Sequence, residues 1–195
     1  MPPAKTASGV RVGDPCVVII FGASGDLTQR KLVPALFNLQ TQGFLASEFG
    51  VVGVSRSEMP HATFREKVKP EDKSLPTDEA RKAWSELSER IFYQAGDVSR
   101  PETFKQLKDF LGKLDAQLKT PGNYMFYLSV APEFFATIVK GLGSAGLLEE
   151  KDGHWRRVVI EKPFGHDLGS AIQLNQDLRS VVGERQIFRI DNYLG

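Results

Sequence analysis

The sequence predicts an α/β fold built on a doubly wound parallel sheet, and three features indicate it. Short apolar runs alternate along the chain with segments of helical spacing. The first run, residues 17–21, has no polar alternation, which is typical of a strand buried on both faces of a parallel sheet. This run leads into a glycine-rich turn and then into a helical pattern.

The composition is that of one ordinary globular domain. The 195 residues are 41% hydrophobic, which is enough for one sizeable core. Lys and Arg number 25 against 24 Asp and Glu, so the charge balance predicts no nucleic-acid or membrane partner. Cys16 is the only cysteine, so no intrachain disulfide can form, and the chain has neither a signal-like segment nor an apolar run of membrane-spanning length. We therefore expect a cytoplasmic protein.

The first two predicted strands and the helix between them form a βαβ unit. The helical pattern ends near Gly43, and residues 49–54 form the second strand. Residues 1–15 are rich in Pro, Gly and small polar residues. We expect them to form a mobile leader ahead of one Rossmann-like domain of residues 16–195.

The glycine-rich turn is a degenerate form of the dinucleotide-binding sequence Gly-x-Gly-x-x-Gly. Leu27 stands where the third glycine would fall, and no Gly-Lys-Ser or Gly-Lys-Thr follows Gly22 to make a Walker-type loop. Amides and the positive end of the helix dipole would converge on a phosphate here. The expected cofactor contacts are Gly22, Ala23, Ser24, Gly25, Asp26 and Leu27. A turn with two glycines is also common in α/β proteins that bind no nucleotide.

The residues after the second strand indicate the type of cofactor. An acidic side chain there would bond the ribose of NAD and repel the extra phosphate of NADP. This chain has Ser55, Arg56 and Ser57 instead, and a guanidinium can hold a 2'-phosphate through two hydrogen bonds. We therefore predict that the cofactor is NADP, with Ser55 and Arg56 at its 2'-phosphate. The alternative is that Arg56 is an ordinary solvated arginine of the surface.

The remaining predicted elements continue the alternation of helices and strands. They are one or two helices within residues 60–90 broken at 69–76, a strand at 91–95, a helix from Pro101, a strand at 123–130, a helix from Pro132 towards Lys140, a loop at 141–146, a strand at 156–161, a helix to about Val181 and a strand at 186–190. Thr77 or Asp78 is expected to cap the helix that follows it, and Asp167 the last one.

Asp97 and Val98 follow the third predicted strand. Because ligands of an open parallel sheet bind outside the carboxyl ends of its strands, we expect both residues to lie over the adenine of a bound cofactor. A strand-ending turn with Asp97 as a local cap is the alternative.

Three segments match short motifs of one enzyme family in the right order. Residues 22–32 read GASGDLTQRKL, residues 161–165 read EKPFG and residues 189–195 read RIDNYLG. They resemble the GASGDL-x-x-[RK]-K-L, EKPFG and RIDHYLGK motifs of glucose-6-phosphate dehydrogenases. The resemblance implies oxidation of D-glucose 6-phosphate to 6-phosphoglucono-lactone with hydride transfer to NADP+, the reaction that opens the pentose phosphate pathway.

The resemblance also implies roles for residues after the later strands. Lys162 would touch both substrate and cofactor, although a loop lysine in water is the alternative, and the bond to Pro163 is a candidate for the cis form. Asp191 would orient a histidine base, because a carboxylate can hold and stabilise a protonated imidazole. That histidine would come from a second domain, which we expect to be absent from this chain.

Three further residues receive roles from the resemblance alone. Tyr127 would lie near the cofactor, although an aromatic residue in a buried strand is more often part of the core. Asn192 and Tyr193 would belong to the sugar-phosphate pocket. Asn192 stands where the family has a phosphate-binding histidine, and an amide cannot carry a proton's charge to a phosphate dianion.

The sequence leaves two alternatives to this function. A non-catalytic NADP-binding module or regulator would need only the cofactor site. A short-chain dehydrogenase needs a Tyr-x-x-x-Lys pair, which no tyrosine of this chain forms. Scattered histidines and one thiol predict no metal site. We expect the chain alone to be inactive and its parent to form a homo-oligomer through the absent domain.

Overall fold

The computed structural model describes residues 11–165 and 167–191, and these form a six-stranded parallel sheet. The strands are β1 (Cys16–Phe21), β2 (Phe49–Ser55), β3 (Ile91–Ala95), β4 (Tyr124–Leu128), β5 (Arg156–Glu161) and β6 (Ile187–Ile190). Their order in the sheet is β3-β2-β1-β4-β5-β6, with every neighbouring pair parallel. The predicted doubly wound sheet is therefore confirmed.

Helices cover both faces of the sheet. They are α1 (Val33–Thr41), α2 (His61–Val68), α3 (Asp78–Ser88), α4 (Pro101–Leu118), α5 (Phe135–Ser144) and α6 (Leu168–Arg179), and a π-helical turn (Thr28–Leu32) precedes α1. Val17, Ile19 and Phe21 of β1 pack into the core beneath α4, α5 and α6. Val18 and Ile20 pack into the core beneath α1, α2 and α3. Burial on both faces explains why β1 lacks polar alternation.

Two predicted helix caps are confirmed. The Thr77 hydroxyl accepts a hydrogen bond from the Ala80 amide at 3.2 Å at the start of α3. The Asp167 carboxylate accepts one from the Ser170 amide at 2.7 Å, and the Ser170 hydroxyl lies 3.0 Å from the Asp167 amide. This reciprocal arrangement satisfies two of the amides that a helix start leaves without intrahelical partners.

The predicted loop at residues 141–146 is wrong for its first four residues, because α5 continues to Ser144. Gly141 is a packing residue: a Cβ atom there would lie 2.2 Å from the Phe104 ring, so the glycine lets α5 approach α4 closely. Gly146, with φ of +71°, lies in the turn that follows the helix. The sequence pattern predicts a break at both glycines, whereas close packing against Phe104 explains Gly141.

Part of the predicted leader lies within the described ranges. The Gly13 amide donates to the Phe44 carbonyl at 2.9 Å, and the Asn123 side-chain amide donates to the Pro15 carbonyl at 3.0 Å. Residues 1–10 lie outside the described residues. No helix in the part of the chain that the structure describes is both long and apolar enough to cross a membrane.

Candidate cofactor site

The candidate site lies at the carboxyl edge of the sheet, where parallel strands end together. β1 and β4 are neighbours in the sheet but not in sequence, so the chain reverses its direction of winding between them. Ligands of open α/β sheets bind at such a switch point. The predicted site residues follow β1 (Gly22), β2 (Arg56), β3 (Asp97), β5 (Lys162) and β6 (Asp191).

Gly22 is required by the path of the chain. Its φ is +79°, and a Cβ atom there would lie 2.0 Å from the Ser129 carbonyl oxygen beyond β4. A residue with a side chain would therefore be strained and would clash with the backbone. The glycine thus allows the turn to pass directly beside the end of β4.

Several amides of the turn hold the turn itself. The amides of Gly22 and Ala23 donate to the Val54 carbonyl at 2.9 and 3.2 Å, and the Gly25 amide donates to the Gly22 carbonyl at 2.9 Å. The first turn of the helical segment that follows has amides without intrahelical acceptors, as every helix start does. An anion would meet these amides and the positive end of the helix dipole.

Gly25 differs from Gly22 in its surroundings. Its φ is not in the left-handed range, and a Cβ atom there would meet only the Gly22 carbonyl oxygen, at 3.2 Å. The backbone conformation therefore does not demand glycine at this position. Apart from that oxygen, no heavy atom lies within 4 Å of this position, so the space beside the turn is open.

Lys67 of α2 contacts the turn, and the sequence pattern did not predict this residue. Its ammonium group donates to the Ser24 carbonyl at 2.8 Å, and the Ser24 hydroxyl lies 2.7 Å from the Ser55 hydroxyl. The turn after β1 is thereby tied to α2 and to the end of β2. No motif marks Lys67, because it lies 43 residues from Ser24 in a helix full of charged residues.

Arg56 and Asp97 lie close enough to interact electrostatically. The amide and the hydroxyl of Ser99 donate to Asp97 Oδ1 at 2.9 and 2.7 Å, and these two bonds are the main reason why the pKa of Asp97 lies below its usual range. The positive charges of Arg100 and Arg56 lower it further. The Asp97 carboxylate thus forms the local cap that was the alternative interpretation, and two arginines lie near it.

Tyr127 contacts the acid at the end of the neighbouring strand. Its hydroxyl donates to Glu161 Oε1, and burial, followed by this carboxylate, raises the pKa of the phenol well above its usual value. The side chain of Tyr127 is half-buried in the sheet. It is therefore a neutral hydrogen-bond donor at physiological pH.

Lys162 and Asp191 come together although 29 residues separate them. The lysine Nζ lies 2.7 Å from Asp191 Oδ2, and the two side chains are 57% and 46% exposed. The peptide bond between Lys162 and Pro163 is cis, as predicted. Asn192 and Tyr193, predicted for the sugar-phosphate pocket, lie outside the described residues.

Comparison with known proteins identifies the family. Residues 19–195 match the family model described as "Glucose-6-phosphate dehydrogenase, NAD binding domain". The chain belongs to the glucose-6-phosphate dehydrogenase family. The family that the three short motifs resemble is thus confirmed, and the match extends over almost the whole chain. The matched region is the dinucleotide-binding domain of that family.

Relatives of this glucose-6-phosphate dehydrogenase domain are much longer than the chain. The glucose-6-phosphate 1-dehydrogenase of Bacillus subtilis is 43% identical over 179 residues, which are 92% of this chain and 35% of the relative. That of Chlamydia muridarum is 40% identical over 186 residues, covering 93% and 37%. A solved glucose-6-phosphate dehydrogenase in complex with glucose-6-phosphate is 32% identical with a TM-score of 0.78, covering 94% of this chain and 37% of that one. The chain therefore spans a little over a third of their length.

Proposed function

We propose that this chain is the NADP-binding domain of an enzyme that oxidises D-glucose 6-phosphate to 6-phosphoglucono-lactone. The observation that carries the proposal is that the glycine turn, Arg56, Lys162 and Asp191 all lie at the carboxyl edge of one sheet, with the glycine turn at its switch point. Family membership supports the same activity. When bound, NADP+ would accept the hydride that leaves the sugar.

The residues present fit such a cofactor. The open space at Gly25 and the helix start beside it suit a pyrophosphate. Arg56 stands where NAD-specific sites place an acid, and Arg100 adds a second positive charge near Asp97. A 2'-phosphate would be attracted to this region, and Arg56 could hold it through two hydrogen bonds. NADP rather than NAD is therefore the proposed cofactor.

Lys162 and Asp191 are the proposed reaction-side residues. Lys162 can donate hydrogen bonds to a sugar hydroxyl and to the cofactor, since an ammonium has three donors and only one is directed at Asp191. Asp191 would orient a histidine that removes the proton from the sugar C1 hydroxyl. We propose that this histidine comes from sequence outside these 195 residues.

Calorimetric titration of the unmutated chain and of Arg56→Ala with both cofactors tests the proposal. NADP+ should bind more tightly than NAD+, and Arg56→Ala should weaken NADP+ binding by about 1–3 kcal/mol, the range for a charge-assisted contact, without affecting NAD+. Arg179→Ala is the matched control. It also removes an exposed arginine, whose Nε lies 3.8 Å from Glu184 Oε2, but that pair lies away from the carboxyl edge of the sheet. Equal affinities of the unmutated chain for both cofactors would refute the choice of NADP.

The reaction itself is tested by following NADPH absorbance after adding glucose 6-phosphate and NADP+. The 195-residue chain should bind NADP+ but show no turnover, because hydride transfer needs a base within reach of the hydroxyl proton. Steady turnover by a chain of verified mass would contradict the proposed source of the histidine. Turnover that appears only when the rest of a longer protein is present would exclude a purely NADP-binding module.

A further inference from the structure

Tyr93 lies in β3, and its hydroxyl reaches the loop that carries Arg56. It donates a hydrogen bond to the Ser57 carbonyl at 2.5 Å and lies 3.4 Å from the Ser55 carbonyl. These two carbonyls belong to the residues on either side of Arg56. The hydroxyl has one proton, and the shorter distance shows that its hydrogen bond holds the Ser57 side of the proposed 2'-phosphate ligand.

Tyr93 is itself held firmly. Its side chain is only 3% exposed, and its ring packs against Phe64 of α2 with the centroids 5.0 Å apart. Its backbone amide donates to Nδ1 of His61, the first residue of α2, at 3.0 Å. Burial raises the pKa of the phenol, so the hydroxyl keeps its proton and remains a donor. The hydroxyl thus has a fixed position from which to orient the loop.

The two sides of Arg56 differ in how they are supported. Ser55 ends β2, and the Gly96 amide donates to its carbonyl at 2.9 Å, while its hydroxyl lies 2.7 Å from that of Ser24. Ser57 lies beyond the strand, where the Tyr93 hydroxyl meets its carbonyl. The contribution of Tyr93 is therefore greatest on the Ser57 side, where the sheet no longer fixes the backbone.

We propose that Tyr93 is a specificity-determining positioning residue, whose hydroxyl fixes residues 55–57 so that Arg56 meets the 2'-phosphate of NADP+. The inference rests on the proposed binding of NADP. Arg56 is exposed, so ordering it on binding costs conformational entropy that a fixed backbone reduces. NAD+ has no 2'-phosphate, so its binding should not depend on this hydroxyl. Tyr93 acts through Arg56 and needs no contact with the cofactor.

The test compares Tyr93→Phe with Tyr124→Phe, each of which removes one hydroxyl from a buried ring. Tyr124 is 6% exposed and donates to Asp115 Oδ2 at 2.5 Å, but it begins β4 at the opposite end of the sheet. Tyr93→Phe should weaken NADP+ binding roughly three- to tenfold, as the loss of one net hydrogen bond would, and NAD+ binding less than about twofold. Tyr124→Phe should lower the melting temperature and leave the ratio of the two affinities unchanged.

A double-mutant cycle with Arg56→Ala distinguishes a positioning role of Tyr93 from a merely structural one. If Tyr93 acts through Arg56, then Tyr93→Phe should have no further effect on the NADP+ to NAD+ affinity ratio once Arg56 is alanine. Partial unfolding of a variant reduces binding of both cofactors alike, so the ratio stays interpretable. Circular dichroism melts of all four proteins accompany the titrations.

The outcomes separate this inference from the function on which it rests. If the unmutated chain prefers NADP+ and Arg56→Ala removes the preference, but Tyr93→Phe leaves it intact, Tyr93 has no positioning role and the proposed function stands. Equal losses for both cofactors in Tyr93→Phe would also overturn the inference, since the role would then be structural. A chain with no preference for NADP+ would overturn both proposals.

Discussion

Gly22 and Gly25 lie three residues apart in one turn, yet the structure predicts opposite consequences for substituting them with alanine. A Cβ atom on Gly22 would lie 2.0 Å from the Ser129 carbonyl oxygen and 2.9 Å from a methyl group of Val130, at a φ of +79°. The left-handed conformation alone costs an alanine about 1–2 kcal/mol, and overpacking adds about 1–3 kcal/mol. Gly22→Ala should therefore lower the free energy of unfolding by roughly 2–5 kcal/mol, a large part of the 5–15 kcal/mol typical of domains.

Gly25→Ala should leave the fold intact and impair the site. Only the Gly22 carbonyl oxygen lies within 4 Å of the added Cβ, at 3.2 Å, so it must move by a few tenths of an ångström. The change in stability should stay within about 1 kcal/mol. The added methyl group would occupy the space proposed for the pyrophosphate, so NADP+ binding should weaken tenfold or more, at least about 1.4 kcal/mol.

Thermal melts followed by circular dichroism and titration of each variant with NADP+ measure both effects. The expected pattern is an unstable Gly22→Ala and a stable Gly25→Ala that binds poorly. Normal NADP+ affinity in Gly25→Ala would mean that the cofactor does not approach the turn closely. A Gly22→Ala protein that melts like the unmutated chain would refute the close passage of the turn beside Ser129.

Two further predictions follow from contacts that the sequence did not reveal. Lys67→Met removes the donor to the Ser24 carbonyl and should weaken binding of NADP+ and NAD+ alike, because both cofactors contain the pyrophosphate. Lys69→Met, which removes an exposed ion pair with Asp72, is the control. An unchanged affinity in Lys67→Met would show that the turn holds its shape without this lysine. Gly141→Ala should destabilise the protein by about 1–3 kcal/mol, because the added Cβ would clash with the Phe104 ring. Gly112→Ala in α4, where no atom lies within 4 Å of the added Cβ, should stabilise it by about 0.5–1 kcal/mol. Urea unfolding curves measure both changes, and similar stabilities of the two variants would contradict the packing argument.

The sequence predicted the sheet well because its strands have strong local signals. β1 and β2 are continuous apolar runs, and Thr77 and Asp167 begin helices with side chains that cap them locally. These features depend on neighbouring residues, so a pattern along the chain is enough to find them. The error at Gly141 has the opposite origin, since the reason for that glycine is a ring 37 positions earlier in the sequence.

The same distinction applies to the site. The glycine turn and Arg56 were predicted because they occupy defined places after a strand, which general rules for parallel sheets address. Lys67 and Tyr93 reach the same two segments from α2 and β3, across 43 and 36 residues, and their neighbours in sequence carry no hint of it. Residues proposed to contact a ligand are thus more predictable from sequence than the residues proposed to position them.

The Lys162–Asp191 ion pair contributes little to the stability of the fold, which is consistent with the proposed role of both residues in a site. Both side chains are about half exposed, and exposed ion pairs contribute between about 0 and 1 kcal/mol. If Lys162 instead bonded a sugar hydroxyl and Asp191 an imidazole, breaking the ion pair would therefore cost little free energy. The backbones that carry the two residues are fixed more firmly, because the Lys162 amide donates to the Ile190 carbonyl at 3.2 Å, directly beside Asp191. The sheet thus fixes where the two groups lie, while the weak ion pair would let both groups change partners if a substrate bound there as proposed.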